Sequence, residues 1–131
     1  MTNQKHKKQH NKHSSKRRGG GRSREKYRRH QKFDGIYYSR NPKRYFTENY
    51  DLGKSVYGER LYSYKDSELR LWNPDRSKLC AALHKNIREI FIERTSRILY
   101  LGASSGTTVS HISDIVTEGI IYAVEFSPRS I

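Results

Sequence analysis

Apolar and polar positions change rhythm three times along the chain. From Met1 to about Lys32 there is almost no apolar residue and hence no element to predict. So little apolar surface does not offset the entropy of ordering, and residues 1–32 read as a disordered tail. From Phe33 to about Leu71 the texture becomes short apolar stretches punctuated by Gly35, Gly53 and Gly58, with eight of the ten tyrosines between Tyr27 and Tyr64. Gly35-Ile36-Tyr37-Tyr38, Ser55-Val56-Tyr57, Arg60-Leu61-Tyr62-Ser63-Tyr64 and Glu68-Leu69-Arg70-Leu71-Trp72 read as β-strands, giving a small β-rich subdomain over 33–72. Leu61, Ser63 and Lys65 alternate with Tyr62 and Tyr64, the pattern of a half-wetted sheet face. Asn73-Pro74-Asp75 then signals a helix start, with Asn73 as cap and Pro74 in the first turn. The following segment, Arg76 to about Phe91, spaces Leu79, Ala82, Leu83, Ile87, Ile90 and Phe91 helically. The last stretch runs strand (Arg97–Leu101), turn (Gly102–Gly106), helix (Thr107 to Val116) and strand (Ile120–Val124). That is a right-handed βαβ unit with two buried parallel strands, so 73–131 reads as the first part of an α/β, Rossmann-like domain.

Composition explains why the first rhythm differs. The 131 residues are 33% hydrophobic and 31% charged, a mixture of disordered and folded parts. No 18 consecutive apolar residues occur, and the N-terminus lacks the apolar core of a secretory signal, so no membrane partner is expected. One cysteine, Cys80, excludes an internal disulfide framework; it reads as a small hydrophobe. Residues 1–32 carry 13 of the 27 Lys/Arg and one acid, Glu25, so +12 of the formal +14 sits in the tail. Such a polycation attracts polyanions with little sequence preference and also reads as a nuclear-import signal. Its histidines (His6, His10, His13, His30) are irregularly spaced without cysteine, so no metal site is expected. The interleaving of Tyr with Lys/Arg further on reads either as aromatics packing a small sheet or a protein interface, or as a base-stacking surface.

Chemistry concentrates in the βαβ unit. A glycine turn between a buried strand and a helix lets a ligand approach the backbone, and an acid ending the next strand accepts hydrogen bonds from a ribose diol. Gly102, Gly106 and Glu125 meet these requirements, with Glu125 19 residues beyond Gly106. The turn lacks the middle glycine that lets a pyrophosphate sit against the backbone, and β-branched Thr107 and Thr108 crowd the helix start. A nucleoside without phosphates, such as S-adenosyl-L-methionine, fits better than NAD.

At this point the residues resemble a family. Leu99-Tyr100-Leu101-Gly102-Ala103-Ser104-Ser105-Gly106-Thr107-Thr108-Val109-Ser110-His111 and Tyr122-Ala123-Val124-Glu125-Phe126-Ser127 are similar to the methyl-donor motifs of fibrillarin, the RNA 2′-O-methyltransferase of box C/D ribonucleoproteins. Ser55-Val56-Tyr57-Gly58-Glu59-Arg60 and Arg70-Leu71-Trp72-Asn73-Pro74-Asp75-Arg76-Ser77-Lys78-Leu79 resemble the family in the same order. The resemblance implies that Thr107, Thr108, Glu125 and Phe126 contact S-adenosyl-L-methionine, Glu125 at the ribose and Phe126 near the adenine, with Gly102 and Ala103 bordering the methionine part. It makes Lys78 the first lysine of the family's Lys-Asp-Lys-His catalytic set. The other three members would lie beyond Ile131, so the chain reads as an N-terminal fragment or truncated member. Asp75 stands where the family usually has a large apolar residue. The Gly/Arg-rich extension of eukaryotic members is reduced to Arg18-Gly19-Gly20-Gly21-Arg22 inside the basic tail, whose presence points to the nucleus and nucleolus. The implied activity is methylation of rRNA 2′-hydroxyls directed by box C/D guide RNA, with Nop-type scaffold proteins and a small kink-turn-binding protein as partners. A histone-glutamine methyltransferase activity is a further implication. The alternative from another class is a non-catalytic RNA-binding or assembly protein, and an NAD-dependent oxidoreductase is disfavoured by the turn.

Overall fold

β-branched and aromatic residues between Tyr27 and Trp72 fit a pleated, half-buried surface, and in the computed structural model, which describes residues 26–129, they form one antiparallel sheet. Its strands are β1 (Arg28–Arg29), β2 (Ile36–Arg40), β3 (Lys43–Glu48), β4 (Leu61–Tyr64) and β5 (Ser67–Trp72), in the order β1-β2-β3-β5-β4. Helix α1 (Lys78–His84) follows, then β6 (Arg97–Leu101), α2 (Thr107–Ile115) and β7 (Ile120–Val124). β6 and β7 pair in parallel, Arg97 opposite Ile120 through Leu101 opposite Val124. Among the described residues no helix is long and apolar enough to cross a membrane.

The five-stranded sheet buries both faces. Ile36, Tyr45 and Trp72 pack with Phe33, with Cys80 and Leu83 of α1, and with Ile115 of α2. On the opposite face Tyr27, Tyr37, Phe46 and Leu69 form a second cluster flanked by Tyr62, Tyr64 and Leu71.

Several expectations are corrected. β1 and buried Tyr27 lie inside the segment 1–32 assigned to the disordered tail; residues 1–25 of that segment, which carry most of its polyanion and import readings, lie outside the described residues. β3 was absent from the sequence reading because Tyr45, Phe46 and Thr47 are all buried, so no polar alternation marks this central strand. Ser55-Val56-Tyr57 is not a strand, because the Glu59 carboxylate accepts hydrogen bonds from the backbone N–H of Val56 and Tyr57 and folds the segment into a loop. The cap of α1 is Ser77 rather than Asn73, whose side chain instead accepts from Asp75 N–H in a turn. α1 stops at His84 rather than reaching Phe91. Lys85 N–H folds back on Ala81 and Ala82, and Asn86 follows with φ +59°, a helix-ending conformation that Asn tolerates.

The βαβ unit stands as expected in its elements and parallel pairing, but its strands are not buried on both sides. Leu99, Leu101, Tyr122 and Val124 are 65%, 71%, 51% and 47% exposed. A parallel strand is buried only between two covering layers, and among the described residues only one side is covered. Gly119 sets the entry to β7: a Cβ there would lie 2.0 Å from the Ser96 carbonyl oxygen, which accepts from Ile120 N–H.

Candidate functional site

The turn after β6 is built by backbone conformation. Gly102 and Ala103 donate to the Val124 carbonyl at 2.8 and 3.1 Å, continuing the β6–β7 pairing into the turn. Gly102 (φ +79°) and Gly106 (φ +89°) occupy the left-handed region, and Gly106 opens α2 with no side-chain cap. Two residues further in, the Thr108 hydroxyl donates to Ser77 Oγ at 3.0 Å, and the same Ser77 oxygen accepts from Cys80 N–H. The starts of α1 and α2 are thereby tied together.

Between them lies an open cleft of about 740 Å³, walled by Arg76, Lys78 and Leu79 from the α1 side and by Tyr100 to Ser105, Thr107, Thr108 and Ile112 from the βαβ side. Of the residues expected to act, Lys78, Gly102, Ala103, Thr107 and Thr108 line this one cleft. Lys78 is exposed in the first turn of α1, whereas Thr107 is buried at its base. Gly106 lies behind the wall as the cap of α2. Glu125 reaches the turn from the end of β7: its carboxylate accepts from Ser104 N–H at 2.7 Å and from Ser127 N–H at 2.8 Å. The Ser127, Ser104 and Phe126 N–H groups hold its pKa below the ordinary carboxylate value, so it is an anion. Phe126 stands apart in solvent, 93% exposed.

A second constellation escaped the sequence reading. Beneath α2, Arg70 of β5 donates to Glu59 Oε1 at 2.7 Å, to Asp114 Oδ2 at 2.9 Å and to Ser110 Oγ at 2.9 Å. Thr47 donates to the same Asp114 oxygen at 2.6 Å. The Thr47 oxygen also lies 2.7 Å from His111 Nδ1, and His111 Nε2 lies 2.7 Å from the Tyr57 hydroxyl, which donates to the Leu71 carbonyl at 3.1 Å. The His111 ring stacks on Trp72, centroids 4.9 Å apart. Burial, aided by the Arg70 charge, pushes the His111 pKa down to about 3, so the ring is neutral. Burial also lifts the Asp114 carboxyl to about 6 against the pull of Thr47 and Arg70. For Glu59 burial works in the same upward direction, but the Val56 and Tyr57 N–H groups and Arg70 outweigh it and hold the carboxyl below its ordinary value. The signals in the sequence were Arg70 between the apolar Leu69 and Leu71 of β5, and His111 and Asp114 one turn apart on α2. Unpaired buried charge is costly, so the network locks α2, and with it the cleft wall, to the five-stranded sheet.

The fibrillarin family model matches residues 27–131. The chain belongs to the fibrillarin family. A fibrillarin-like rRNA/tRNA 2′-O-methyltransferase of Pyrobaculum islandicum is 53% identical over 106 residues, covering 78% of this chain and 45% of that protein. Aeropyrum pernix fibrillarin, solved in complex with natively bound S-adenosyl-L-methionine, superposes with TM-score 0.75 at 46% identity over 79% of this chain and 47% of its own. Fibrillarin in a complex with Nop5p superposes with TM-score 0.61 at 41% identity over 75% and 43% of the two chains. The α/β fold read from the sequence is therefore that of the solved fibrillarins. The chain spans about half the length of the relatives it matches.

Proposed function

We propose that this chain supplies the cofactor-facing half of an S-adenosyl-L-methionine-dependent RNA 2′-O-methyltransferase that modifies rRNA. The observation that carries the reading is the convergence on one cleft of the Gly102–Gly106 turn, the α2 start and Lys78, with the Glu125 anion at its edge. The donor set suits the cofactor: a carboxylate for a ribose diol, close backbone approach at a left-handed glycine, and no backbone cradle for a pyrophosphate. When bound, the cofactor supplies an electrophilic methyl group on a sulfonium. Glu125 orients the nucleoside by accepting from its hydroxyls on the lone pairs that the Ser104 and Ser127 N–H groups leave open. The Lys78 ammonium, exposed on the cleft wall, stabilises negative charge developing on a ribose 2′-oxygen and so favours loss of its proton. The sequence carries no base-reading motif, which suits target choice by a guide RNA held in a box C/D particle with Nop-type scaffold and kink-turn-binding proteins. A nuclear, nucleolar address and a histone-glutamine activity belong to the same reading. The test is calorimetry on a form extended to the length of the relatives. Glu125→Ala should weaken S-adenosyl-L-methionine binding about tenfold or more, the scale of a charge-assisted hydrogen bond. Unchanged binding, or tighter binding of NAD, overturns the assignment.

A further inference from the structure

The sheet face turned away from α1 and α2 is built as a cationic surface on an aromatic floor. Strand register places Tyr37 beside Phe46, Phe46 beside Leu71, and Tyr62 beside Leu69. Tyr27 folds over Phe46, ring centroids 5.2 Å apart and nearly perpendicular. Neither helix contributes a side chain to this cluster. Onto the rings lie cations: Lys26 Nζ is 5.3 Å from the Tyr27 centroid and 6.0 Å from that of Tyr62, and the Arg29 guanidinium is 5.6 Å from that of Tyr37. Arg44 donates to the Tyr62 hydroxyl at 3.5 Å. Among the described residues none of these three cations pairs with a carboxylate. Glu48, the acid on this face, accepts from the Tyr37 hydroxyl. The chain immediately before Lys26 adds nine Lys/Arg against one Glu in residues 1–25.

We propose that this face is a docking surface for the phosphodiester backbone of RNA, with Lys26, Arg29 and Arg44 as the phosphate contacts. The chemistry separates backbone from base. Tyr27, Tyr37 and Phe46 are 8%, 3% and 1% exposed and pack edge to face, so these rings are closed to a stacking base. Their role is to hold the cations: an ammonium or guanidinium on a ring face stays charged, partly desolvated and pre-positioned. A polyanion is the occupant that this charge selects, because phosphate neutralises the cations and releases counterions. A protein laid on the same face would have to supply carboxylates for all three cations or bury them unpaired. α1 and α2, whose starts wall the cleft, pack on the other side of the sheet, so the segment docked here is distinct from the nucleotide presented to the cleft. The inference rests on RNA being the substrate class and adds where its backbone lies.

The test uses the full-length chain with its tail and a fluorescein-labelled oligouridine as probe, measuring affinity against salt concentration. Each lost phosphate contact flattens the log–log slope by about 0.7 for a single strand. The triple variant Lys26→Gln, Arg29→Gln, Arg44→Gln should therefore lower the slope by about 2, while Arg29→Lys with Arg44→Lys should keep it. A control triple on exposed cations elsewhere, Lys85→Gln, Arg88→Gln, Arg97→Gln, should leave it unchanged. Equal slopes for the parent and the face variant overturn the proposal, as do equal losses in the face and control triples. Lost binding of a protein partner with an unchanged RNA slope overturns it in favour of protein docking. S-adenosyl-L-methionine affinity, read in parallel, stays at the parent value if only the face proposal fails, so the two readings fall separately.

Discussion

His111 and Asp114 should hide each other's titration. The His111 pKa lies near 3 in the fold against 6.5 for the free side chain, so acidification below 6.5 protonates the unfolded chain first and removes stability. The Asp114 pKa lies near 6 against 3.8, so below 6 the folded state takes up the proton first and stability is gained. Each contributes about 1.4 kcal/mol per pH unit, with opposite sign, and between roughly pH 6 and 4 the two cancel. Asp114→Asn removes the compensating gain, so that variant should lose about 2 kcal/mol relative to its parent between pH 7 and pH 4.5. His111→Gln should move the other way, gaining about 2–3 kcal/mol relative to its parent over the same range. The other charged and titratable groups facing the pair (Arg70, Glu59 and Tyr57) are common to parent and variants, so differences isolate the two sites. Urea unfolding at pH 7, 5.5 and 4.5, on a form extended to the relatives' length, reads these differences. A variant-minus-parent difference that stays constant across the series refutes the reasoning.

Ser77→Ala removes both the α1 cap and the acceptor for Thr108 and should cost about 1 kcal/mol or more in the same unfolding assay, with weaker cofactor binding. Lys78→Ala in the extended form should lower methyl incorporation into guide-paired RNA by about 100-fold, as for a positioned acid–base group, while leaving unfolding unchanged. A polypeptide of these 131 residues, with Leu99, Leu101, Tyr122 and Val124 exposed, should bind a hydrophobic fluorescent dye strongly and methylate no RNA; the extended form should lose the dye signal.

Local signals carried the βαβ unit. A short apolar run, a glycine turn, a 3.6-residue period and a second apolar run each specify their element without distant help, so the turn and the cleft residues beside it were legible. The same locality explains the failures. β3 is buried on both faces, which erases alternation, and its partners come from β2 and β5. The Ser55–Tyr57 segment has strand-like composition, but two hydrogen bonds to Glu59, itself anchored by Arg70, decide its path. Asn73 and Ser77 are both good caps, and the choice fell to the one that also meets Thr108 across the fold. The Arg70–Asp114–Thr47–His111 chain joins residues up to 67 positions apart, so it has no window in which to be seen.

Because α2 is riveted by that chain to a sheet it follows in sequence, the segment before Trp72 is no detachable module. Recombination that joined a foreign N-terminal half to this βαβ unit would have to carry matching partners for His111, Asp114 and Ser110 at once. Loss of Arg70 strands the Asp114 carboxylate, and loss of Tyr57 strands a ring nitrogen of His111. Descent should therefore have kept the two parts travelling together, with change accumulating on the wet faces instead of at the seam.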